Sequence, residues 1–219
     1  MLALVFASGV CLGLVGLRVL WTGNFHYTYL AWNLFLAWLP LGLALMAWQK
    51  FEQAPGRRGE LAALAAIWLL FFPNAPYIFT DLVHLTARLP AHFWVDLILI
   101  LSCALTGLVL GFVSLYLMQG IVKRLLGRAV SWLFIAGVAG LSGFGVWLGR
   151  FLRFNSWDVV FRPAELYHEL GYRAADPLGH DMPLAFAVLF GTFLFITYLM
   201  LYALTHLRGA EAVRVANGE

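Results

Sequence analysis

Charge is what this sequence has least of. Only 11% of its 219 residues are charged, whereas 63% are hydrophobic, against about 25% and about 45–50% in ordinary globular proteins. A soluble fold of this size cannot cover so much apolar surface, so the composition argues against an extracellular domain, a disordered chain and a nucleic-acid-binding module. The net charge of +3 does not argue for nucleic-acid binding, because the Lys and Arg residues are scattered along the chain. The sequence therefore indicates an integral membrane protein whose first partner is the lipid bilayer.

Cysteine is also scarce. The two cysteines, Cys11 and Cys103, both lie inside apolar stretches, where we expect small packing residues rather than a disulfide or a metal pair. Low-complexity segments are absent, and no internal repeat is strong enough to indicate a duplicated transporter half. The sequence identifies no cofactor and no protein partner.

Six apolar stretches are each long enough to cross a bilayer core, which takes about 20 helical residues. They are Leu2–Leu20, Tyr29–Trp48, Leu61–Phe79, Phe93–Met118, Val130–Leu148 and Leu184–His206. The sequence thus predicts an all-α polytopic membrane bundle of six transmembrane helices, with residues 1–219 in one domain. The first stretch resembles a signal peptide in position, but no basic residue precedes it and no clear cleavage site follows. We interpret it as a retained helix.

Basic residues in the connections predict the orientation. Eight of them follow the second, fourth and sixth stretches: Lys50, Arg57, Arg58, Lys123, Arg124, Arg128, Arg208 and Arg214. The opposite short loops contain Arg18 and Arg88. The positive-inside rule then places both termini in the cytoplasm, with the protein in the inner (plasma) membrane. The long segment 150–183 lies outside, where Pro163 and Gly171 bracket an expected short amphipathic helix.

The densest polar stretch lies in the third span. Pro73 and Pro76 remove two backbone donors, so we expect this helix to kink or unwind and Asn74 to satisfy the freed groups. Asp81 and His84 are three residues apart and share one helical face. Two interpretations stay open, namely a proline kink with a surface Asp–His pair, or a break that opens a pocket lined by these two side chains.

A second polar stretch follows the fifth span. Arg150 and Arg153 share a face if the helix continues, and Asn155 and Asp158 come directly after them. Arginines at a membrane interface often anchor lipid headgroups by snorkelling. The alternative is an ion-pair network or an anion-binding corner, in which Asp158 or Asp96 neutralises one of the two arginines.

These two stretches resemble those of a known family, the bacterial and archaeal membrane proteins described as domain of unknown function 1361. The resemblance rests on the run Phe-Pro-Asn-Ala-Pro-Tyr at residues 72–77, followed by Thr80-Asp81-Leu82 and His84. It rests equally on Gly-Arg-Phe-Leu-Arg at residues 149–153, followed by Asn-Ser-Trp-Asp at residues 155–158. The length and the number of spans also fit, so the resemblance covers nearly the whole chain. It implies no activity, substrate or catalytic residue.

We expect the outer polar residues to meet in one candidate site, and two classes of function follow from it. The candidate ligand-binding residues are Asn74, Tyr77, Asp81, His84, Asp96, Arg150, Arg153, Asn155 and Asp158. In the first hypothesis this cluster binds or passes a small polar or anionic ligand, or a lipid headgroup, with the arginines supplying positive charge. In the second it is an enzyme acting on a lipid or lipid-linked substrate at the outer leaflet. Its metal ligands would be Asp81, His84, His92 and Asp96, a set that suits zinc, or iron with open positions. The signal is weak, because each of the two Asp–His pairs often occurs by chance.

Two other enzymatic patterns carry less weight. The run Glu165-x-x-His168-Glu169 lacks the second histidine that a zincin helix requires. Ser142, in a Gly-x-Ser-Gly run, and His206 suggest an intramembrane serine protease of the rhomboid type. The predicted topology separates them by about half a bilayer, whereas a nucleophile and its base must lie within about 3 Å of each other. A structural subunit that packs against a partner also stays open.

Overall fold

The computed structural model describes residues 1–53, 56, 58–87, 92–156, 158–175 and 181–217, and these are almost entirely helical, with no strand among them. The α-helices are α1 Leu2–Thr22, α2 Tyr29–Gln53, α3 Arg58–Phe71, α4 Asn74–Tyr77, α5 Phe93–Leu126, α6 Arg128–Phe151, α7 Asp158–Phe161, α8 Pro163–Ala175 and α9 Asp181–Asn217. Two 3₁₀ helices, His26–Thr28 and Ile78–Ala87, precede α2 and follow α4. The all-α prediction is confirmed.

Within the described residues, six helical segments are long and apolar enough to cross a membrane. They are Leu2–Thr22, His26–Gln53, Arg58–Leu85, Phe93–Leu126, Arg128–Phe151 and Ala185–His206. The chain is therefore a multi-pass membrane protein, as the hydropathy predicted. The helices extend past the predicted spans, and α5 continues to Leu126 rather than ending near Met118, because polar residues at a helix end do not break the backbone hydrogen bonds.

The third span is interrupted where the prolines fall. The helix α3 ends at Phe71, one turn of helix covers Asn74–Tyr77, and the span finishes as the 3₁₀ helix Ile78–Ala87. Pro73 has no N–H to donate to the carbonyl of Leu69, which breaks the α-helical pattern. The predicted interruption is confirmed, and it turns the segment after it against α5.

Gly107 and Gly143 allow the helices to approach closely. A Cβ at Gly107 would lie 2.8 Å from the Ala75 carbonyl oxygen, so α5 passes directly beside α4. A Cβ at Gly143 would lie 2.2 Å from the Ala187 carbonyl oxygen, which brings α6 against α9. Gly140, by contrast, has no such neighbour among the described residues. The glycine-rich character of α6 therefore reflects close packing at only some of its positions.

The two ends of the bundle carry different polar contacts. One end, here called the Asp81 end, holds the 3₁₀ helix Ile78–Ala87, the start of α5 and the end of α6. At the opposite end, Arg124 contacts Glu52 at 2.5 Å and Lys50 forms an ion pair with Glu60. Beyond the Asp81 end, α8 begins at Pro163 as predicted. It runs past Gly171 to Ala175, because a glycine lowers helix stability without ending a helix by itself.

Candidate functional site

The helix break is held by Asn74. Its amide nitrogen donates to the carbonyl of Phe71 at 2.9 Å and to the hydroxyl of Ser156 at 2.9 Å. The first bond satisfies a carbonyl that the broken helix leaves without a donor, and the second ties the third span to the loop after α6. The prediction that Asn74 contacts backbone or a neighbouring segment is confirmed.

Asp81 joins three membrane-spanning segments. The carboxylate is buried, with 1% of the residue exposed, and it accepts hydrogen bonds from Arg150 of α6 at 3.1 Å and from Asn33 of α2 at 3.0 Å. A carboxylate and a guanidinium inside a membrane protein are tolerated when they neutralise each other. Arg150 is therefore neutralised by an acid from another span, as the ion-pair alternative required, but this acid is Asp81 rather than Asp158 or Asp96.

His84 lies beside this network. Its Nε2 lies 3.1 Å from Nη2 of Arg150 and 3.8 Å from Oδ1 of Asp81. A guanidinium can only donate, so the shorter contact is a hydrogen bond when Nε2 is the acceptor. The rings of Tyr29 and His26 lie against His84, with centroids 5.7 and 6.3 Å away.

Asp96 pairs with a residue that the sequence reasoning did not consider as its partner. Arg18 of α1 donates to it from Nε at 2.6 Å and from Nη2 at 3.2 Å, and Tyr27 donates its hydroxyl at 2.8 Å. The expectation that Asp96 neutralises Arg150 or Arg153 is wrong. The cause is packing, because α1 lies along α5 and brings its last turn to the first turn of α5.

Arg153 and Asp158 also separate from the predicted set. The helix α6 ends at Phe151, and Arg153 adopts a left-handed backbone with φ 58°, so it does not share a helical face with Arg150. Asp158 accepts from the backbone N–H of Asn155 at 2.6 Å and from Arg162 at 3.1 Å. The backbone bond first, and then Arg162, hold the pKa of Asp158 below its usual value. Asp158 thus fixes the loop after α6.

The weak metal set does not assemble. Asp81 and His84 belong with Arg150, whereas Asp96 belongs with Arg18, and the ring of His92 lies against Trp21 at 5.4 Å. In the described part of the chain, no group of three or more His, Cys, Asp or Glu side chains is placed to hold a metal ion.

The serine and histidine of the protease alternative are each bonded locally. The hydroxyl of Ser142 is buried and donates to the carbonyl of Val138 at 2.6 Å. His206 stacks on Tyr202, with ring centroids 4.0 Å apart, in the last span. Neither contact is one between a nucleophile and its base.

A cavity of about 440 Å³ lies between α2, α3, α6 and the loop that follows α6. Its polar lining comes from five uncharged residues: Asn33, Asn74, Tyr77, Asn155 and Ser156. The rest of the lining is apolar, including Leu36, Leu69 and Leu148. Trp32 and Leu141 also line it and are 56% and 55% exposed, so the cavity opens at the surface of the bundle. A second, shallower cavity between the end of α6 and α8 is lined by Arg153, Arg162, Glu165, His168 and Glu169, among others.

Residues 32–197 match the family described as Protein of unknown function (DUF1361). The chain belongs to this family. The match includes the third span, α6 and every residue that lines the 440 Å³ cavity, whereas Arg18 and Tyr27 lie outside it. No curated protein and no solved structure matches the chain. The DUF1361 match thus establishes family membership but indicates no substrate and no reaction.

The candidate residues of this DUF1361 protein fall into three groups. Asn74, Tyr77 and Asn155 line the cavity. Asp81, His84 and Arg150 form the network behind it, and Asn33 belongs to both because it lines the cavity and donates to Asp81. Asp96, Arg153 and Asp158 lie outside both groups. Sequence reasoning missed Asn33, although an amide inside an apolar span is itself a signal of function.

Proposed function

We propose that this protein binds a membrane lipid, or an amphiphile of similar shape, in the cavity between α2, α3 and α6. The observation that supports this most directly is the division of the lining, with five polar side chains gathered among otherwise apolar walls. Ligand pockets commonly have volumes of about 300–1,000 Å³ and combine apolar walls with a few placed polar groups. A cavity of about 440 Å³ lies within that range.

The polar part of the cavity is organised before any ligand arrives. Asn74 is held by Phe71 and Ser156, and Asn33 is held by Asp81, which in turn pairs with Arg150. Side chains locked in this way lose little conformational entropy when a ligand binds. We infer that the ion pair supports the site from behind and does not itself contact the headgroup.

A lipid fits these contacts better than a small anion does. The anion hypothesis required the two arginines to supply positive charge, but Arg150 is neutralised by Asp81 and Arg153 lines the other cavity. The lipid-facing position of Trp32 and Leu141 supplies an entry from the bilayer. We therefore favour lipid binding over the small-anion and the catalytic alternatives.

We also propose that both termini face the cytoplasm of a plasma-membrane protein, with the Asp81 end outside. The bias of basic residues towards the opposite end supports this orientation. Cys11 and Cys103 are buried, so added cysteines can be labelled selectively with a membrane-impermeant thiol reagent. In intact cells, His168→Cys should label and Gly56→Cys should label only after lysis. Labelling of both from the same side would overturn this orientation.

Lipid retention tests the proposed function. Ala66 is an exposed residue of α3 that lines the cavity, and Ala62 is exposed one turn earlier and lies outside the lining. Ala66→Trp should occupy the cavity without disturbing the core, whereas Ala62→Trp adds the same ring to the lipid-facing surface. Native mass spectrometry after reconstitution in mixed lipid vesicles should show one retained lipid in the wild type and in Ala62→Trp. Ala66→Trp should lower that retention about tenfold, the equivalent of about 1.4 kcal/mol. Equal retention by the two variants contradicts the proposal.

A further inference from the structure

In each of the three asparagines that line the cavity, the amide nitrogen points at a hydrogen-bond acceptor of the protein. The amide nitrogen of Asn33 faces the Asp81 carboxylate, that of Asn74 faces the Phe71 carbonyl, and that of Asn155 lies 3.4 Å from the Asp158 carboxylate. Each of these partners can only accept. The nitrogen must therefore point at the partner, which fixes the identity of the two amide atoms.

The amide oxygens are consequently the atoms left for a ligand. Within the described residues, Oδ1 of Asn33, Asn74 and Asn155 accepts no hydrogen bond from a protein group. None of the three asparagines is fully buried, so their amide oxygens are accessible from the cavity, where a ligand hydroxyl can donate to them. The cavity thus offers three acceptors on three separate segments of the chain.

The remaining polar groups of the cavity are hydroxyls. Ser156 accepts from Asn74, so its own proton can be donated onward, and the phenol of Tyr77 can donate or accept. No described residue that lines the cavity is charged. A bound phosphate is stabilised by several hydrogen-bond donors and a neutralising cation. This lining has few free donors and no cation.

We propose that the cavity selects a lipid with an uncharged polyhydroxylated headgroup, such as a glycosyl diacylglycerol, over an anionic phospholipid. This inference rests on the proposed function and adds the class of ligand. Sugar hydroxyls donate to the three amide oxygens and accept from Ser156 and Tyr77, so every polar group of the lining is satisfied. An anionic phosphate at the same place would face the amide oxygens of the asparagines.

Competition between lipids with identical acyl chains tests the ligand class. The protein is reconstituted with equimolar glucosyl diacylglycerol, phosphatidylethanolamine and phosphatidylglycerol, and the retained lipid is identified by native mass spectrometry. The wild type should retain the glucosyl lipid about tenfold or more over phosphatidylglycerol, because the anionic phosphate of phosphatidylglycerol would meet amide oxygens and no cation in this lining. Ala66→Trp should lower the retention of whichever lipid is bound in the cavity about tenfold.

A change of charge tests the same idea by gain of binding. Asn155→Arg places a cation at an exposed loop position of the lining and should raise the retention of phosphatidylglycerol relative to the glucosyl lipid about tenfold. Asn24→Arg adds the same charge at an exposed position of the Asp81 end that lies outside the lining, so it should leave the wild-type preference unchanged.

The outcomes separate the two proposals. The wild type could retain phosphatidylglycerol as well as or better than the glucosyl lipid, with this retention lost in Ala66→Trp. That result overturns the ligand class, whereas lipid binding in the cavity stands. Retention that is unaffected by Ala66→Trp overturns both. An equal gain of phosphatidylglycerol in Asn155→Arg and Asn24→Arg shows that charge acts from the membrane surface, which also overturns the ligand class.

Discussion

Replacing Asp81 by Asn tests whether the network behind the cavity stabilises the bundle. The substitution keeps the size of the side chain and removes its charge, which leaves Arg150 without its anion. Loss of one partner from a buried ion pair costs about 3–5 kcal/mol. The side chain of Arg150 is 16% exposed and that of Asp81 is 2% exposed. Partial solvation of the arginine puts the expected loss near the lower limit, at about 3 kcal/mol in the free energy of unfolding.

The assay is unfolding by sodium dodecyl sulfate in mixed micelles, followed by circular dichroism. The matched control is Glu52→Gln, because Glu52 and Arg124 are both about half exposed (49% and 53%) at 2.5 Å from each other. An exposed pair of this kind contributes about 0–1 kcal/mol. Equal losses of unfolding free energy from Asp81→Asn and Glu52→Gln would show that the buried ion pair stabilises the bundle no more than the exposed pair does.

A double-mutant cycle isolates the ion pair itself. Asp81→Asn and Arg150→Gln should be strongly non-additive, with a coupling energy of about 2 kcal/mol between contacting residues. Arg150→Lys keeps the charge but lacks the planar guanidinium that contacts both Asp81 and His84. It should therefore be more stable than Arg150→Gln and less stable than the wild type. Additive effects of the two single substitutions would show that the contact contributes nothing.

Two further predictions concern packing and pH. Gly143→Ala should destabilise the bundle by about 1–3 kcal/mol in the same unfolding assay, because its Cβ meets the backbone of α9. Gly140→Ala on the same helix should cause no loss, and similar losses would contradict the packing described for α6. The pKa of Asp158 is lowered from its ordinary value of 3.8, so its stabilisation of the loop after α6 is present above that pH and is lost as the pH falls through the folded-state pKa. Hydrogen exchange of α8 should therefore be faster in Asp158→Asn than in the wild type at neutral pH and equal to it in strong acid. A difference that persists in strong acid contradicts this role.

The sequence was sufficient for features that follow from local rules. Hydropathy predicted six spans, and Pro73 and Pro76 predicted the break because proline lacks the donor that a helix requires. The pairing of Arg150 with an aspartate followed from the cost of a lone charge near lipid. The spans and the break need only the composition of one segment. The acid that pairs with Arg150 depends on how the spans pack, which is why the expected Asp158 or Asp96 was wrong.

Features that depend on which helices touch were not accessible in the same way. The choice of Arg18 as the partner of Asp96 depends on α1 packing along α5, and small-residue contacts such as that at Gly107 set how closely neighbouring segments pack. The end of α6 at Phe151 is marked by no glycine or proline, so Arg153 was placed on a helical face that it does not occupy. Asn33 was the exception, because its position in an apolar stretch was visible in the sequence.

A density map would show directly whether the cavity between α2, α3 and α6 holds a lipid. The measurement is electron cryomicroscopy of the protein in nanodiscs made from the glucosyl and phospholipid mixture, with a rigid binding fragment to supply mass. A bound lipid should appear as elongated density inside the cavity, with its headgroup within hydrogen-bonding distance of Asn33, Asn74 and Ser156 and an acyl chain leaving past Trp32. A cavity closed by Trp32 or Leu141, or filled only by separate water-sized peaks, would contradict the proposed lipid binding.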